Sequence, residues 1–462
     1  MSREALRDAF AALQAGRFTE ARRLAGPYRG SGAGAVLHAL ALAGDGEVAA
    51  GAAALHAVAR ANPGARHPVY DLMGLLRGLG RGGEAAGHLR AALGLAPSDA
   101  GLAAALGAAL AEDGCAAEAA DIFGWVAARR PEDWDAAANH GKALAAVGRF
   151  VEAEAVFARV PPGDAQRDLN RAVAVLKSGR LAEGWGLFRA RHGLPGRKPG
   201  PQGLELRGLA GVAGASVSLL HDEGFGDTFQ FIRYAPMLAR LGTRVRVVAP
   251  EPLRRVLEGQ GLAVDVRYAG GTWCRIPDLP GVFGTTLETV PGTLPYLRPD
   301  PALVAAWGAR LPPGRRVGLV WAGAARTHDA GAMATDRVRS IPQEALGPLL
   351  GVPGVSWVSL QQGRAAPDRM FDPMPRVVDF ADTAAIIAGL DLVVSVDTSV
   401  AHLAAAMGVR VVLMDRFDNC WRWLSGREDS PWYPGVLRIV RQEQPGDWGG
   451  VLARVAALVA AG

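Results

Sequence analysis

The chain has 462 residues, half of them hydrophobic, with a formal charge of +5 and a pI near 9.4. That length exceeds one ordinary core and divides into two or three, yet no apolar run reaches the length of a membrane span, and the charged start Met1-Ser2-Arg3-Glu4-Ala5-Leu6-Arg7-Asp8 lacks a signal peptide's apolar centre, so a cytoplasmic location is expected. Three scattered cysteines, Cys115, Cys274 and Cys420, exclude a zinc spacing or a disulfide framework, and the dispersed basic residues exclude a nucleic-acid partner.

The N-terminal part is periodic. Gly46, Gly80, Gly114 and Gly148 recur every 34 residues, flanked by Gly16 and Gly179, and Pro63, Pro97 and Pro131 keep the same interval. Similar residues follow several of these glycines: Gly16-Arg17-Phe18-Thr19-Glu20-Ala21, Gly148-Arg149-Phe150-Val151-Glu152-Ala153 and Gly179-Arg180-Leu181-Ala182-Glu183. Each glycine closes one helix, and the next helix ends near a proline. A helix-turn-helix period of this length resembles tetratricopeptide repeats, with about six units over residues 1–192. Such units stack to bury their faces and offer a surface to a protein partner, or serve as a spacer or dimerisation platform. The acidic triplet Asp133-Trp134-Asp135 falls at a repeat start, where it caps a helix rather than binding a metal.

Residues 193–203, from Gly193-Leu194-Pro195-Gly196 onward, cannot continue a helix and form a linker. After it, strand patterns at Ser216–Leu220, Arg244–Val248 and Val264–Tyr268 alternate with helices, and a second set follows at Val317–Trp321, Val355–Leu360, Leu392–Val396 and Val411–Met414. Short β-branched runs between helices predict parallel sheets covered on both faces. The fold class is therefore α + α/β: a repeat solenoid followed by two Rossmann-type lobes, residues 204–300 and 301–462, with ligands at the strand ends facing a cleft.

The stretch His221-Asp222-Glu223-Gly224-Phe225-Gly226-Asp227-Thr228 is a strand end, a glycine-bearing turn and a helix start at Asp227. It resembles the glycine-aspartate turn of the heptosyltransferase-like glycosyltransferases, family 9. It is closer still to the variant of that domain found behind tetratricopeptide repeats in bacterial proteins. The resemblance covers roughly residues 203–445 and implies a GT-B arrangement, with the first lobe on the acceptor side and the second on the nucleotide-sugar side. In the family this aspartate is the candidate base, a role that falls here on Asp227. A carboxylate there can take a proton from an acceptor hydroxyl or simply cap the helix. Glu223 is the second choice of base.

On the donor side, Asp397-Thr398-Ser399-Val400-Ala401-His402 ends a strand and opens a helix, whose free N–H groups and hydroxyls suit a phosphate. This matches the family's aspartate-threonine turn followed by histidine, although heptosyltransferases proper often carry glycine where Ser399 stands. Trp321 and Gly323 end another strand before a polar loop with Arg326, Arg339 and Ser340; the last two match a recurrent arginine-serine pair. Only Lys142, Lys177 and Lys198 are lysines, so phosphate in the second lobe must meet arginine or backbone N–H, with Arg339 or Arg326 the choice. Gln361 suits contacts to a base or ribose, and Asp382 and Thr383 read as a helix cap. Arg422, Trp423, Arg427, Asp429, Trp432 and Tyr433 form an aromatic and charged block that the resemblance also covers, with its tryptophans read as packing between the lobes.

Together these readings describe a metal-independent glycosyltransferase with a nucleotide-sugar donor and no further cofactor. Its repeats would recruit a polypeptide acceptor. The resemblance extends to flagellin-modifying transferases and so implies flagellin as an acceptor. The alternatives are a non-catalytic adaptor with a degenerate transferase half, or a transferase acting on a saccharide or lipid-linked acceptor.

Overall fold

The computed structural model describes residues 2–30, 32–61, 66–78, 82–222, 224–323 and 330–462. Alanine- and leucine-rich segments form helix-turn-helix pairs: α1 (Ser2–Gln14) and α2 (Phe18–Ala25), α3 (Gly32–Gly44) and α4 (Val48–Ala61), α5 (Arg66–Gly78) and α6 (Gly82–Leu95). Then come α7 (Ala100–Glu112) and α8 (Ala116–Arg129), α9 (Trp134–Ala146) and α10 (Phe150–Phe157), α11 (Ala165–Lys177) and α12 (Leu181–Phe188). Gly16, Gly46, Gly114, Gly148 and Gly179 lie between paired helices at φ of 70° to 95°, a backbone region that glycine adopts without penalty. The repeat also dictates packing. A Cβ on Gly107 would lie 3.0 Å from the Phe123 ring, and one on Gly141 would lie 2.8 Å from the Phe157 ring. The same glycine–phenylalanine contact thus recurs one period later. Asp133 accepts from Ala136 N at 3.0 Å and caps α9, as expected.

The chain groups into two compact units. One contains the described residues of 1–147, 155–160 and 325–338; the other contains those of 148–154, 161–324 and 339–462. In the first, Arg337 Nη2 donates to Glu112 O at 3.2 Å. Composition divides the chain at 192/193, but the last pair, α11–α12, clusters with the sheets, and residues 330–338 cluster with the earlier helices. The reason for the former is apolar burial: one continuous core runs from Leu176 and Trp185 through Phe229, Phe231 and Ile232 to Trp421, Trp432 and Leu437.

The second unit continues with β1 (Leu204–Glu205), β2 (Ser216–Leu220), α13 (Phe225–Phe231), α14 (Ala235–Arg240), β3 (Arg244–Val248), α15 (Glu251–Glu258), β4 (Ala263–Asp265), β5 (Thr272–Arg275) and α16 (Leu279–Val282). The strands form a parallel sheet in the order β1-β5-β2-β3-β4, with Val217 beside Val245 and Leu219 beside Cys274. After α17 (Pro301–Gly308), β6 (Arg315–Val320), α18 (Ala330–Arg339), α19 (Gly347–Leu350), β7 (Val355–Ser359), α20 (Phe380–Ala388), β8 (Leu392–Val396), α21 (Ser399–Ala406), β9 (Val411–Asp415), β10 (Leu437–Arg441) and α22 (Trp448–Ala461), a second parallel sheet has the order β10-β9-β8-β6-β7. The fold is the expected solenoid-type helices followed by two Rossmann-type lobes. Sequence patterns missed β1, β5 and β10. No helix among the described residues is long and apolar enough to cross a membrane.

The segment 193–203 is anchored to the first lobe. A Cβ on Gly200 would sit 2.4 Å from the Trp273 ring, and Arg275 Nη2 donates to Lys198 O at 3.1 Å.

Candidate active site

β2 ends at Leu220, and His221 N still bonds Val248 O at 2.8 Å. The helix after the turn begins at Phe225, with Gly224 as its N-cap, so Asp227 occupies the third helical position rather than the start. Its two oxygens divide the tasks that sequence left open. Oδ2 accepts from Gly224 N at 3.4 Å, a weak local cap. Oδ1 accepts from the Arg422 guanidinium, with Nε at 2.8 Å and Nη2 on the same oxygen. Arg422 comes from the second lobe, so Asp227 faces that lobe, only 6% exposed and electrostatically compensated. Glu223 lies outside the described residues. His221 Nδ1 pairs with Thr228 Oγ1 at 2.8 Å and its ring stacks on Phe225; burial lowers its pKa.

Directly against this turn lies the start of α21. A Cβ on Gly226 would meet His402 Cδ2 at 2.8 Å and Ser399 Cα at 3.5 Å. Only glycine allows the two elements to approach so closely. Thr398 is the N-cap of α21, in extended conformation. Its hydroxyl makes no cap bond and instead pairs with Ser395 Oγ at 3.0 Å. Asp397, Thr398 and Ser399 are half-buried. Arg339 Nη1 donates to Asp397 O at 3.0 Å, and Ser340 Oγ accepts from Gly323 N at 3.1 Å. The structure therefore brings Gly323, Arg339, Ser340, Asp397, Thr398 and Ser399 together at the strand ends of the second lobe. Arg326 lies outside the described residues.

Three expected donor residues are enclosed and have protein partners or packing of their own. The Trp321 indole is fully enclosed in the second lobe's core beside Leu319 and Ile341, because its apolar ring gains more from that core than from solvent. Gln361 is 2% exposed, and its Oε1 accepts from Trp321 N at 3.2 Å and Ala322 N at 2.9 Å. The amide braces the turn, so its acceptor is already used. His402 is 3% exposed, stacks on Trp423 with centroids 4.7 Å apart, and pairs through Nδ1 with Tyr433 Oη at 2.8 Å. Burial pulls its pKa down to about 3, so the ring is neutral and contributes packing rather than positive charge. Likewise Asp379, not Asp382, caps α20; Asp382 Oδ1 accepts from Trp307 Nε1 at 2.9 Å.

Sequence reading also missed Arg233, which joins the lobes beside the aromatic block it did find. Arg233 is 4% exposed and donates to Gln230 O at 2.7 Å, Pro291 O at 2.8 Å, Trp432 O at 2.6 Å and Tyr296 Oη at 2.7 Å. Its partners lie up to 199 residues away, so no local spacing announces them. Helices α11 and α12 brace both lobes. Trp185 Nε1 donates to Thr285 O at 2.8 Å in the first, while Lys177 Nζ lies 2.5 Å from Asp418 Oδ1 in the second. His192, Glu205 and Asp278 place ligand-type atoms within 4.8 Å of one another. Arginines occupy that cluster: Arg191 Nη1 lies 2.7 Å from Asp278 and Arg189 Nη2 lies 2.7 Å from Glu205. Burial alone would raise the Asp278 pKa, but His192 and Arg191 bring it down to about 2. The cluster is an ion-pair network whose charge is already balanced.

Parts of the chain are similar to known proteins. Residues 375–414 match glycosyltransferase family 9 (heptosyltransferase), a segment that contains α20, β8, the Asp397–Thr398 turn and α21. The chain is 28% identical over 433 residues to protein FlbA of Caulobacter vibrioides, covering 82% of this chain and 70% of FlbA. Solved structures with partial similarity include a tetratricopeptide repeat protein from Parabacteroides merdae (TM-score 0.34, 14% identity, 43% of this chain and 80% of that one). Another is pilF of Pseudomonas aeruginosa (TM-score 0.33, 15% identity, 41% and 87%). The expected resemblance to family 9 is met: the chain is similar to family 9 glycosyltransferases over residues 375–414 and to FlbA over most of its length.

Proposed function

We propose that this protein is a glycosyltransferase that moves a sugar from a nucleotide-activated donor to an acceptor hydroxyl without a metal ion. The observation that carries the reading is the apposition of the Gly224–Asp227 turn against Ser399 of α21, a residue that lies in the segment 375–414 matching family 9. In this reading the donor's phosphate lies at the half-buried Thr398 and Ser399, beside Arg339. The acceptor oxygen bonds to the anomeric carbon and gives its proton to Asp227. The bond from that carbon to the phosphate oxygen breaks, and its electron pair stays on the phosphate. The repeat helices recruit a polypeptide carrying the hydroxyl, with flagellin the acceptor implied by resemblance.

Incubating the purified protein with a panel of nucleotide sugars and cell extract tests the reading. Labelled sugar should appear on a protein band, and Asp227→Asn should abolish it. Label on a saccharide or lipid fraction would replace the polypeptide acceptor.

A second reading is favoured by one specific observation: Asp227 is held by Arg422. A binding module without turnover would keep such a pair permanently closed. Nucleotide binding without donor consumption supports that reading.

A further inference from the structure

The Arg422–Asp227 pair links the second lobe to the carboxylate at the proposed site. The Arg422 guanidinium lies 4.5 Å over the Trp421 ring, and its side chain is 14% exposed. Besides bonding Asp227 Oδ1, it places Nη1 3.1 Å from Cys420 Sγ. A buried ion pair adds little net stability over apolar residues of the same volume, so holding the lobes together is a weak reason for this one. Arg233 and the Phe231–Trp432 contact already do so. The charge balance of the lobe offers a better reason. No lysine follows Lys198, and a guanidinium can grip a phosphate through two N–H groups at once.

The loop that carries Arg422 is also fixed. Lys177 Nζ lies 2.5 Å from Asp418, Ser425 N donates to Lys177 O at 2.9 Å, and the Trp421 ring packs edge-on with Trp185 and Phe188. A change of partner at Arg422 would therefore need side-chain rotation rather than a loop rearrangement.

We propose that Arg422 is a phosphate-binding residue of the donor site and that its ion pair with Asp227 is the donor-free state of a switch. A nucleotide phosphate draws the guanidinium off the carboxylate, which leaves Asp227 to take the acceptor's proton. Arg422 then holds the phosphate oxygen that keeps the electron pair of the broken bond. The pair thereby couples base activation to donor binding. This inference rests on the proposed transferase reading.

The test is calorimetric titration of the full chain with UDP, GDP, ADP, CMP and pyrophosphate, using wild type, Asp227→Asn, Arg422→Lys and Arg422→Met. Asp227→Asn removes the competing charge and retains an acceptor for Gly224 N. It should bind the phosphate probe more tightly, by about tenfold if one charge-assisted hydrogen bond is released, while Arg422→Met should bind about tenfold more weakly and Arg422→Lys fall between. A merely structural pair predicts no tightening in Asp227→Asn. The switch is overturned if the folded Asp227→Asn protein binds no more tightly than wild type, if Arg422→Met binds as wild type does, or if no probe binds either wild type or Asp227→Asn. Should Arg422→Met fail to fold, the Asp227→Asn arm decides alone. Tightening without any sugar transfer retains the switch and removes the transferase reading. Transfer with nucleotide affinity indifferent to both residues does the reverse.

Discussion

Asp227 combines a local and a long-range role within one carboxylate: one oxygen caps a seven-residue helix and the other crosses to Arg422. If it is the base, Asp227→Asn should lower the transfer rate by about 10²–10⁴-fold, the usual contribution of general-base catalysis, with little loss of fold. Comparing turnover with the thermal midpoint of the same sample checks this. Preserved turnover would remove the assignment.

His402 makes a pH prediction. Its pKa is about 3 in the folded protein against an ordinary 6.5, mainly from burial. Below 6.5 the unfolded chain takes a proton that the folded chain refuses. The neutral ring's contribution is therefore complete above 6.5 and is lost as the pH falls towards 3. Asp415, pushed up to about 6 by burial, contributes with the opposite sign: its share is complete below 3.8 and lost as the pH rises through 6. Urea unfolding of wild type and His402→Gln across this range should isolate the histidine, the variant showing the shallower acid loss. Equal slopes would contradict the buried neutral state.

At the scale of elements, the contact between α13 and α21 depends on a missing side chain. His402 is fixed by Trp423 and Tyr433, so a Cβ on Gly226, 2.8 Å from its ring, has little room. Gly226→Ala should destabilise the protein by about 1–3 kcal/mol, the usual cost of overpacking, and lower donor affinity as well. A thermal melt and a nucleotide titration read both effects, and an unchanged melt would show that the helices part easily. Lys177 is 3% exposed, whereas its partner Asp418 is 37% exposed. Lys177→Met should therefore cost about 1.5–3 kcal/mol, the range for a charge-assisted hydrogen bond, and loosen the loop before Ser425. Hydrogen exchange over residues 416–425 would report this, and unchanged protection there would deny the brace.

Strands β2, β3 and β8 were legible to the residue because β-branched alternation bounded by turns is a local signal. β5 was not. Thr272–Arg275 is four residues long and mixes polar, aromatic and sulfur side chains. Only pairing with β1 and β2 makes it a strand.

For the whole molecule, the decisive fact is that α11–α12 shares a core with the sheets. A fragment of residues 161–462 should fold cooperatively, whereas one of 193–462 should expose Trp421 and Trp432 and aggregate. Thermal melts and size-exclusion chromatography of the two would check this, and equal behaviour would make the last pair a detachable repeat.

The repeat period, the parallel-sheet lobes and the strand-end turns leading to Asp227 and bearing Asp397–Ser399 were determined by the sequence alone, because each depends on neighbours a few residues apart. The grouping of the last helical pair, the enclosure of Trp321, Gln361 and His402, and the meeting of Asp227 with Arg422 were decided by the tertiary structure. Burial and ion pairing depend on which distant surfaces come into contact, and residues 195 apart along the chain have no local pattern that joins them.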